Sequence, residues 1–122
     1  MSANKTLMIV DDSKVSRMMI KAIVVEKSPE LTIYEAGDGQ EALAIAEDKD
    51  IDFFSVDYNM PVMDGITFIT QMKAKRDDAK FALLTANIQG ATHEKAKQIG
   101  AKCVNKPISE NCIVEMLEFF YE

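Results

Sequence analysis

The segment Ile51-Asp-Phe-Phe-Ser-Val56, followed directly by Asp57, decides the fold of this chain. Apart from Asp52 and Ser55 it is apolar, which is typical of a parallel strand that is covered on both faces of a sheet. Four other short runs have the length and composition of strands: Thr6–Val10, Leu31–Ala36, Lys80–Thr85 and Ala101–Asn105. The run from Leu31 alternates as an edge strand does, so the segments together predict a five-stranded sheet.

Five segments with helical periodicity lie between and after these strands. In the first of them, apolar residues at the spacing i, i+3, i+4 and i+7 predict the buried face. This face comprises Val15, Met18, Met19, Ala22 and Ile23, with Glu26 at its polar end. We interpret the two methionines as core packing, because flexible Met side chains fill irregular gaps.

The other helices have recognisable starts. Asp38 with Glu41 resembles a capping box, Asp64 opens the third helix, and Ser109 opens the fifth. The expected inward residues are Ala42, Leu43 and Ala46 in the second helix, Ile66, Ile69 and Met72 or Lys73 in the third, Ala91, Ala96 and Ile99 in the fourth, and Ile113, Met116, Leu117 and Phe120 in the fifth. The fourth helix, from about residue 90 to 99, has so thin an apolar stripe that we expect it to be the least firmly held.

The alternation of strands and helices defines the fold class. It predicts βαβ units, and right-handed crossovers then place helices on both faces of a parallel sheet, which gives a three-layer α/β sandwich. In such sheets ligands bind beyond the carboxyl ends of the strands. The length of 122 residues fits a single domain spanning residues 1–122.

Composition excludes several classes of protein. The net charge of −6 disfavours nucleic-acid binding, which requires clustered Lys and Arg. No apolar run approaches the roughly 18 residues of a membrane span, and Asp11 and Asp12 interrupt the N-terminal run where a signal peptide would continue. We therefore expect a cytoplasmic protein with no nucleic-acid or membrane partner. Cys103 and Cys112 form no CxxC pair and are interpreted as reduced, packed thiols.

Polar residues collect at the predicted carboxyl edge of the sheet. Asp11 and Asp12 follow the first strand, Asp57 follows the third, Thr85 ends the fourth, and Lys106 follows the fifth. Each is ordinary by itself, because an Asp after a strand is usually a turn residue and a Lys at a strand end is usually solvated. Five such groups at equivalent positions indicate a functional site.

The chemistry of this set is that of phosphoryl transfer to a carboxylate. Three clustered carboxylates repel one another, and a divalent cation relieves that repulsion. Oxygen ligands with open water positions suit Mg²⁺. One carboxylate is then a nucleophile of the kind that forms an acyl phosphate, while Lys106 and Thr85 offer a charge and a hydroxyl to the phosphoryl oxygens.

Four segments give the chain a resemblance to the receiver domain of bacterial response regulators, of the CheY-like stand-alone type found in two-component signalling. These segments are Ile9–Asp12, Val56–Gly65, Leu84–Ala86 and Val104–Pro107. The resemblance covers the whole chain. It implies a flavodoxin-like (βα)5 fold with the strand order 2-1-3-4-5.

The resemblance implies a role for each acidic residue. Asp57 corresponds to the phosphoacceptor, Asp12 to a direct Mg²⁺ ligand and Asp11 to a ligand through water. The backbone carbonyl of Asn59 completes the protein's share of the coordination. Asn59, and Asn87 at the equivalent position after the fourth strand, flank the path of the attacking water and are predicted to tune the lifetime of the phosphoryl group.

The remaining residues of the resemblance concern switching. Thr85 corresponds to the hydroxyl that moves toward the phosphoryl group, and Lys106 to the phosphate-pairing lysine, whose bond to Pro107 is typically cis. The family often has an aromatic residue three positions before that lysine. Here the position holds Cys103, which is too small to fill the same space, so the usual aromatic readout is in doubt.

The resemblance also predicts partners. A histidine kinase or a histidine phosphotransfer protein is expected to donate the phosphoryl group. We expect no output domain, so the output is predicted to be contact with another protein, of unknown identity, through the fourth helix, fifth strand and fifth helix. This surface includes His93, Lys97, Cys103 and the end of the chain at Phe119–Tyr121, with Phe120 pointing inward. A monomer or weak dimer is expected, acting as a signalling switch and not as an enzyme on other substrates.

Two other functions stay open on the sequence alone. Phosphatases of the haloacid dehalogenase type also use an Asp nucleophile with Mg²⁺, but they usually carry a second Asp two residues later, where this chain has Asn59. A binding module that works without phosphate is compatible with Cys103, although a silent site has no physical need for clustered charge. Nucleotide binding is disfavoured, because neither GxGxxG nor a Walker lysine loop is present. The pathway, chemotaxis or phosphorelay, is also open.

Overall fold

Five strands and five helices alternate in the part of the chain that the computed structural model describes, residues 4–86 and 90–122. The strands are β1 (Thr6–Val10), β2 (Thr32–Ala36), β3 (Phe53–Asp57), β4 (Lys80–Thr85) and β5 (Lys102–Asn105). The helices are α1 (Lys14–Lys27), α2 (Gly39–Ala46), α3 (Gly65–Lys75), α4 (Gly90–Gln98) and α5 (Glu110–Phe120). Asn87, predicted to tune phosphoryl lifetime, lies outside the described residues.

All strand pairs in the sheet are parallel, and the strand order is β2-β1-β3-β4-β5. The central position of β3 follows from its sequence, since every one of its residues is buried. Strand β2 lies at an edge and is largely half-exposed. The predicted α/β class and the flavodoxin-like order are therefore confirmed. None of the helices within residues 4–86 and 90–122 has the length and apolar character needed to cross a membrane.

Two adjacent phenylalanines of β3 pack on opposite faces of the sheet. Side chains alternate along a strand, so Phe53 and Phe54 point to opposite sides. The Phe53 ring stacks on that of Phe120 in α5, with 4.7 Å between the ring centroids, and the Phe54 ring stacks on that of Phe81 in β4, with 4.9 Å between the centroids. The core accordingly has two layers, one formed with α1 and α5 and the other with α2, α3 and α4.

The buried face of α1 differs from the predicted one. Val15, Met18 and Met19 are 65%, 59% and 45% exposed, whereas Ile20 and Val24 are fully buried. The helix carries two apolar stripes, and periodicity alone does not choose between them. The choice is made by an ion pair between Arg17 and Glu35 of β2 and by contact with α5. The interpretation of the two methionines as core packing was wrong.

In helix α4 the prediction is confirmed at Ala96 and wrong at Ala91. Ala91 is exposed, whereas Thr92 and Ala96 are buried, and Ile99 is half-buried just past the end of the helix. Only two of its residues are buried, in agreement with the thin apolar stripe. In α3, Phe68 is buried although the sequence reasoning did not include it, and Met72 is buried in preference to Lys73. The predicted inward residues of α5, Phe120 included, are all buried.

Candidate functional site

Three carboxylates meet at the carboxyl edge of the sheet. Asp11 and Asp12 follow β1 directly, and Asp57 is the last residue of β3. One carboxylate oxygen from each lies within 4.8 Å of the others. Asp11 and Asp57 are buried, at 2% and 7% exposure, while Asp12 is exposed. The topology thus brings together the acidic residues that the sequence analysis selected.

Lys106 and Thr85 come to the same edge from the neighbouring strands. The Lys106 Nζ atom lies 2.7 Å from Asp57 Oδ1, which makes a partly buried ion pair. The Lys106 N–H donates a hydrogen bond of 2.9 Å to the carbonyl of Thr85, whose side chain is buried. The Lys106–Pro107 bond is cis, as the resemblance implies. All five predicted polar residues therefore lie at this edge.

The first aspartate is held by the backbone around it. The Asp11 N–H donates to the carbonyl of Ala36, at the end of β2, over 3.1 Å. The Ser13 N–H donates to Asp11 Oδ1 over 2.9 Å, and the Ser13 hydroxyl oxygen in turn accepts from the Ser16 N–H as the cap of α1. The start of α1 is thus tied to the carboxylate that the site requires.

The loop between β3 and α3 is folded tightly against the acceptor residue. The Tyr58 N–H donates to the carbonyl of Leu84, and the Gly65 N–H donates to the carbonyl of Tyr58. A Cβ atom at Gly65 would lie only 2.6 Å from the backbone oxygen of Asp57 and 2.6 Å from Leu83 Cδ1. Glycine is required there by this close approach of the two chain segments.

Burial and charge set the protonation of the two buried carboxyls. Loss of solvation raises the pKa of Asp57 above its ordinary value, and the hydrogen bond and charge of Lys106 offset this only in part. Burial likewise raises the pKa of Asp11, against a hydrogen bond from the Ser13 N–H, and the charge of Asp57 raises it further. Both carboxylates carry an unrelieved electrostatic cost that a bound cation would lower.

The residues fit a divalent metal ion. Within the described part of the chain, Asp11 Oδ2 is buried and has no hydrogen-bond partner, which is costly unless a ligand supplies one. The donors are oxygens from three carboxylates, a set that Mg²⁺ prefers over softer ligands. Asn59 is exposed two residues beyond Asp57, and the role of its carbonyl stays a prediction.

Three residues of the predicted interaction surface lie together, whereas its Phe119–Tyr121 part lies at the opposite end of the sheet, where the Tyr121 ring contacts Phe53 and Lys80 Nζ is 3.2 Å from the Phe119 carbonyl oxygen. His93, Lys97 and Cys103 line a groove between α4 and β5, and His93 Nε2 is 3.3 Å from Asn105 Oδ1. Burial raises the pKa of the Cys103 thiol. This disfavours the reactive thiolate and fits the interpretation of Cys103 as a packed thiol.

Sequence reasoning missed one residue that touches the site. Arg17, in α1, donates through Nη1 to the carbonyl of Asp11 over 2.5 Å and pairs through Nε with Glu35 over 3.1 Å. An arginine one and a half helical turns after an acidic pair was the available signal. It was overlooked because the predicted buried face of α1 excluded this position.

Comparison with known proteins agrees with this geometry. The family model of the response regulator receiver domain matches residues 7–118. The chain belongs to this family, and it is a receiver domain of the kind found in CheY-type response regulators, which are signalling switches.

Individual relatives differ in how much of their length the chain spans. The chain is 35% identical over 113 residues to the chemotaxis protein CheY of Listeria monocytogenes, covering 92% of this chain and 94% of that protein. It is 31% identical over 84 residues to the cyclic di-GMP phosphodiesterase response regulator RpfG of Xanthomonas campestris, covering 69% of this chain but only 22% of RpfG. The chain thus spans about a fifth of that relative.

Solved structures share the whole fold. The chemotaxis protein CheY4 of Vibrio cholerae superimposes with a TM-score of 0.86 at 26% identity, over 97% of this chain and 99% of that one. The response regulator protein TrrA of Thermotoga maritima, solved in complex with Mg²⁺ and BeF, gives a TM-score of 0.83 at 25% identity over 95% and 98% of the two chains.

Proposed function

We propose that this protein is a phosphorylation-controlled signalling switch in which Asp57 accepts a phosphoryl group from a histidine kinase or a histidine phosphotransfer protein. The observation that carries the proposal is the environment of the Asp57 carboxylate. It is buried at a strand end, paired with an ammonium at 2.7 Å, and lies beside two further carboxylates. This arrangement combines a nucleophile with groups that neutralise a transferred phosphoryl group.

The transfer step needs no catalytic base. A carboxylate oxygen of Asp57 attacks the phosphorus of the donor's phosphohistidine, and the P–N bond breaks. The electron pair of that bond goes to the imidazole, which takes up a proton from solvent, and Asp57 becomes an aspartyl phosphate. Later attack by water returns the carboxylate and inorganic phosphate, so the protein acts on its own phosphoryl group and is not an enzyme for other substrates.

Asp11, Asp12 and Asp57, with the backbone carbonyl of Asn59, would hold Mg²⁺. The ion would neutralise negative charge on the phosphoryl oxygens. The Oδ2 atom of Asp11, which has no hydrogen-bond partner among the described residues, and the raised pKa values of Asp11 and Asp57 support this assignment. The structure of TrrA, solved with Mg²⁺ and BeF, supports it by similarity.

Switching is proposed to run from the acceptor to the groove between α4 and β5. Lys106 leaves Asp57 Oδ1 to pair with phosphoryl oxygens, and the Thr85 hydroxyl moves toward them. The hydrogen bond between the Lys106 N–H and the Thr85 carbonyl couples the two strand ends. The groove residues His93, Lys97 and Cys103 would then present a changed surface to a downstream protein. The chemotaxis relatives make a chemotaxis output one candidate, and a phosphorelay the other.

A non-covalent phosphoryl mimic tests the proposal. Beryllofluoride at about 100 times its dissociation constant, with Mg²⁺, is expected to raise the unfolding free energy by about 2.7 kcal/mol. For a domain of this size the melting temperature would rise by roughly 10 °C. Differential scanning calorimetry measures the shift. Asp57→Asn, which removes the acceptor carboxylate, is expected to show none. No shift in the wild type, or an equal shift in the variant, would contradict the proposal.

A further inference from the structure

We infer that Arg17 is a positioning residue for the proposed Mg²⁺ site and acts through the main chain of Asp11. The inference rests on the proposed function, because it concerns the same acidic cluster. Within residues 4–86 and 90–122, Arg17 makes no hydrogen bond or ion pair with the carboxylate of Asp11, Asp12 or Asp57. Its guanidinium donates instead to the backbone carbonyl of Asp11, from Nη1, over 2.5 Å.

Three hydrogen bonds restrict the orientation of Asp11. Its N–H donates to the carbonyl of Ala36, its carbonyl accepts from Arg17, and its Oδ1 accepts from the Ser13 N–H. The remaining oxygen, Oδ2, is buried and has no partner among the described residues. The oxygen left over is therefore the one that faces a cation, and Arg17 supplies one of the contacts that decide this.

The guanidinium is itself anchored. Arg17 Nε lies 3.1 Å from Glu35 Oε1, and the two side chains are 17% and 34% exposed. A planar guanidinium can bind a carbonyl and a carboxylate at the same time from different nitrogens, whereas an ammonium lacks this fixed fork. Arg17 therefore connects Glu35, near the end of β2, to Asp11, the first residue after β1.

The effect of Arg17 is expected to be positional and not simply electrostatic. Arg17 contacts the main-chain carbonyl of Asp11, whereas the cation that pairs with a carboxylate of the site is Lys106, 2.7 Å from Asp57 Oδ1. Removal of a hydrogen bond that orients a metal ligand typically lowers metal affinity by roughly 10–100-fold. Loss of the Arg17 contact should therefore lower the affinity for Mg²⁺, while phosphoryl acceptance at saturating Mg²⁺ stays at the wild-type rate.

The test compares variants in Mg²⁺ titrations followed by isothermal calorimetry. Arg17→Met keeps the apolar stem and removes the donors; its Mg²⁺ dissociation constant is expected to rise about tenfold. Arg17→Lys keeps the charge but lacks the fork of donors. Its increase in the logarithm of the Mg²⁺ dissociation constant is expected to be more than half of that in Arg17→Met. Lys21→Met is the matched control, because Lys21 also pairs with Glu35, at 3.4 Å, but in the described part of the chain makes no hydrogen bond with Asp11. It should bind Mg²⁺ like the wild type.

A second readout separates positioning from damage to the fold. Phosphoryl incorporation from acetyl phosphate should need about tenfold more Mg²⁺ in Arg17→Met, yet reach the wild-type rate at saturating Mg²⁺. If Arg17→Met does not fold, Glu35→Gln, which removes the charge that pairs with Arg17 and Lys21, should raise the Mg²⁺ dissociation constant about threefold. A Mg²⁺ affinity of Arg17→Met within twofold of the wild type, or equal losses of affinity in Arg17→Met and Lys21→Met, would overturn this inference and leave the proposed function standing. Failure of the wild type itself to bind Mg²⁺ would overturn the proposed function and this inference with it.

Discussion

Replacement of Gly65 by Ala is expected to lower the unfolding free energy by about 2 kcal/mol and to slow phosphoryl acceptance. The new methyl group would lie 2.6 Å from the backbone oxygen of Asp57 and from Leu83 Cδ1, and 3.0 Å from Tyr58 Cα. Two of these three neighbours are backbone atoms of the acceptor segment. Relief of the clash therefore has to move Asp57 itself, so stability and function should fall together.

The matched control for this variant is Gly90→Ala, at the start of another helix. Among the described residues beyond its chain neighbours and its own helix backbone, no atom lies within 4 Å of a Cβ built at Gly90. The helical preference of alanine should therefore make the variant as stable as the wild type or slightly more. Urea unfolding curves measure both effects. Equal stability of Gly65→Ala and the wild type would show that the loop between β3 and α3 is looser than described.

Asp11→Asn is expected to stabilise the metal-free protein and to abolish its stabilisation by Mg²⁺. The variant keeps an oxygen that accepts from the Ser13 N–H and removes a buried charge whose Oδ2 atom has no partner among the described residues. A gain of about 1 kcal/mol, or roughly 4 °C, is expected near pH 8 without metal. Asp77→Asn, which removes an exposed charge from the loop after α3, controls for net charge.

The pH dependence of the metal-free protein follows from the same carboxyls. The pKa values of Asp11 and Asp57 are raised in the folded state, chiefly by burial. Between their ordinary pKa of about 4 and the raised values, these two carboxyls therefore bind more protons in the folded protein than in the unfolded chain, and their contribution to stability falls as the pH rises through that interval. Asp11→Asn should flatten this fall, and saturating Mg²⁺ should reverse it. A variant that is less stable without metal, yet still gains from Mg²⁺, would contradict the assignment.

Features that follow from local composition and from position at a strand end could be predicted from the sequence. The apolar run from Phe53 to Val56 identifies a central strand because only a strand covered on both faces tolerates it. The carboxyl-edge rule then places Asp57, Asp11 and Lys106 at one edge of the sheet, and the observed ion pair between Lys106 and Asp57 fits that placement.

Residues that depend on a choice between competing contacts could not be predicted. Helix α1 has apolar side chains on two stripes, and the exposed stripe of Val15 and Met18 matches the helical period as well as the buried one does. The contact of Arg17 with Asp11 and Glu35 helps to select the rotation, and it requires β2 and β1 to be already adjacent. Such a long-range contact has no signature in local periodicity.

The measurement that tests the central claim most directly is the intact mass of the protein after incubation with acetyl phosphate. The wild type with Mg²⁺ is expected to gain one phosphoryl group, ~80 Da, and to gain none when Mg²⁺ is chelated. Asp57→Asn should stay at its original mass under both conditions, while Asp77→Asn should be modified like the wild type. An adduct of the same mass on Asp57→Asn, or one that forms equally well without Mg²⁺, would contradict the assignment of Asp57 as the acceptor in a magnesium-dependent switch.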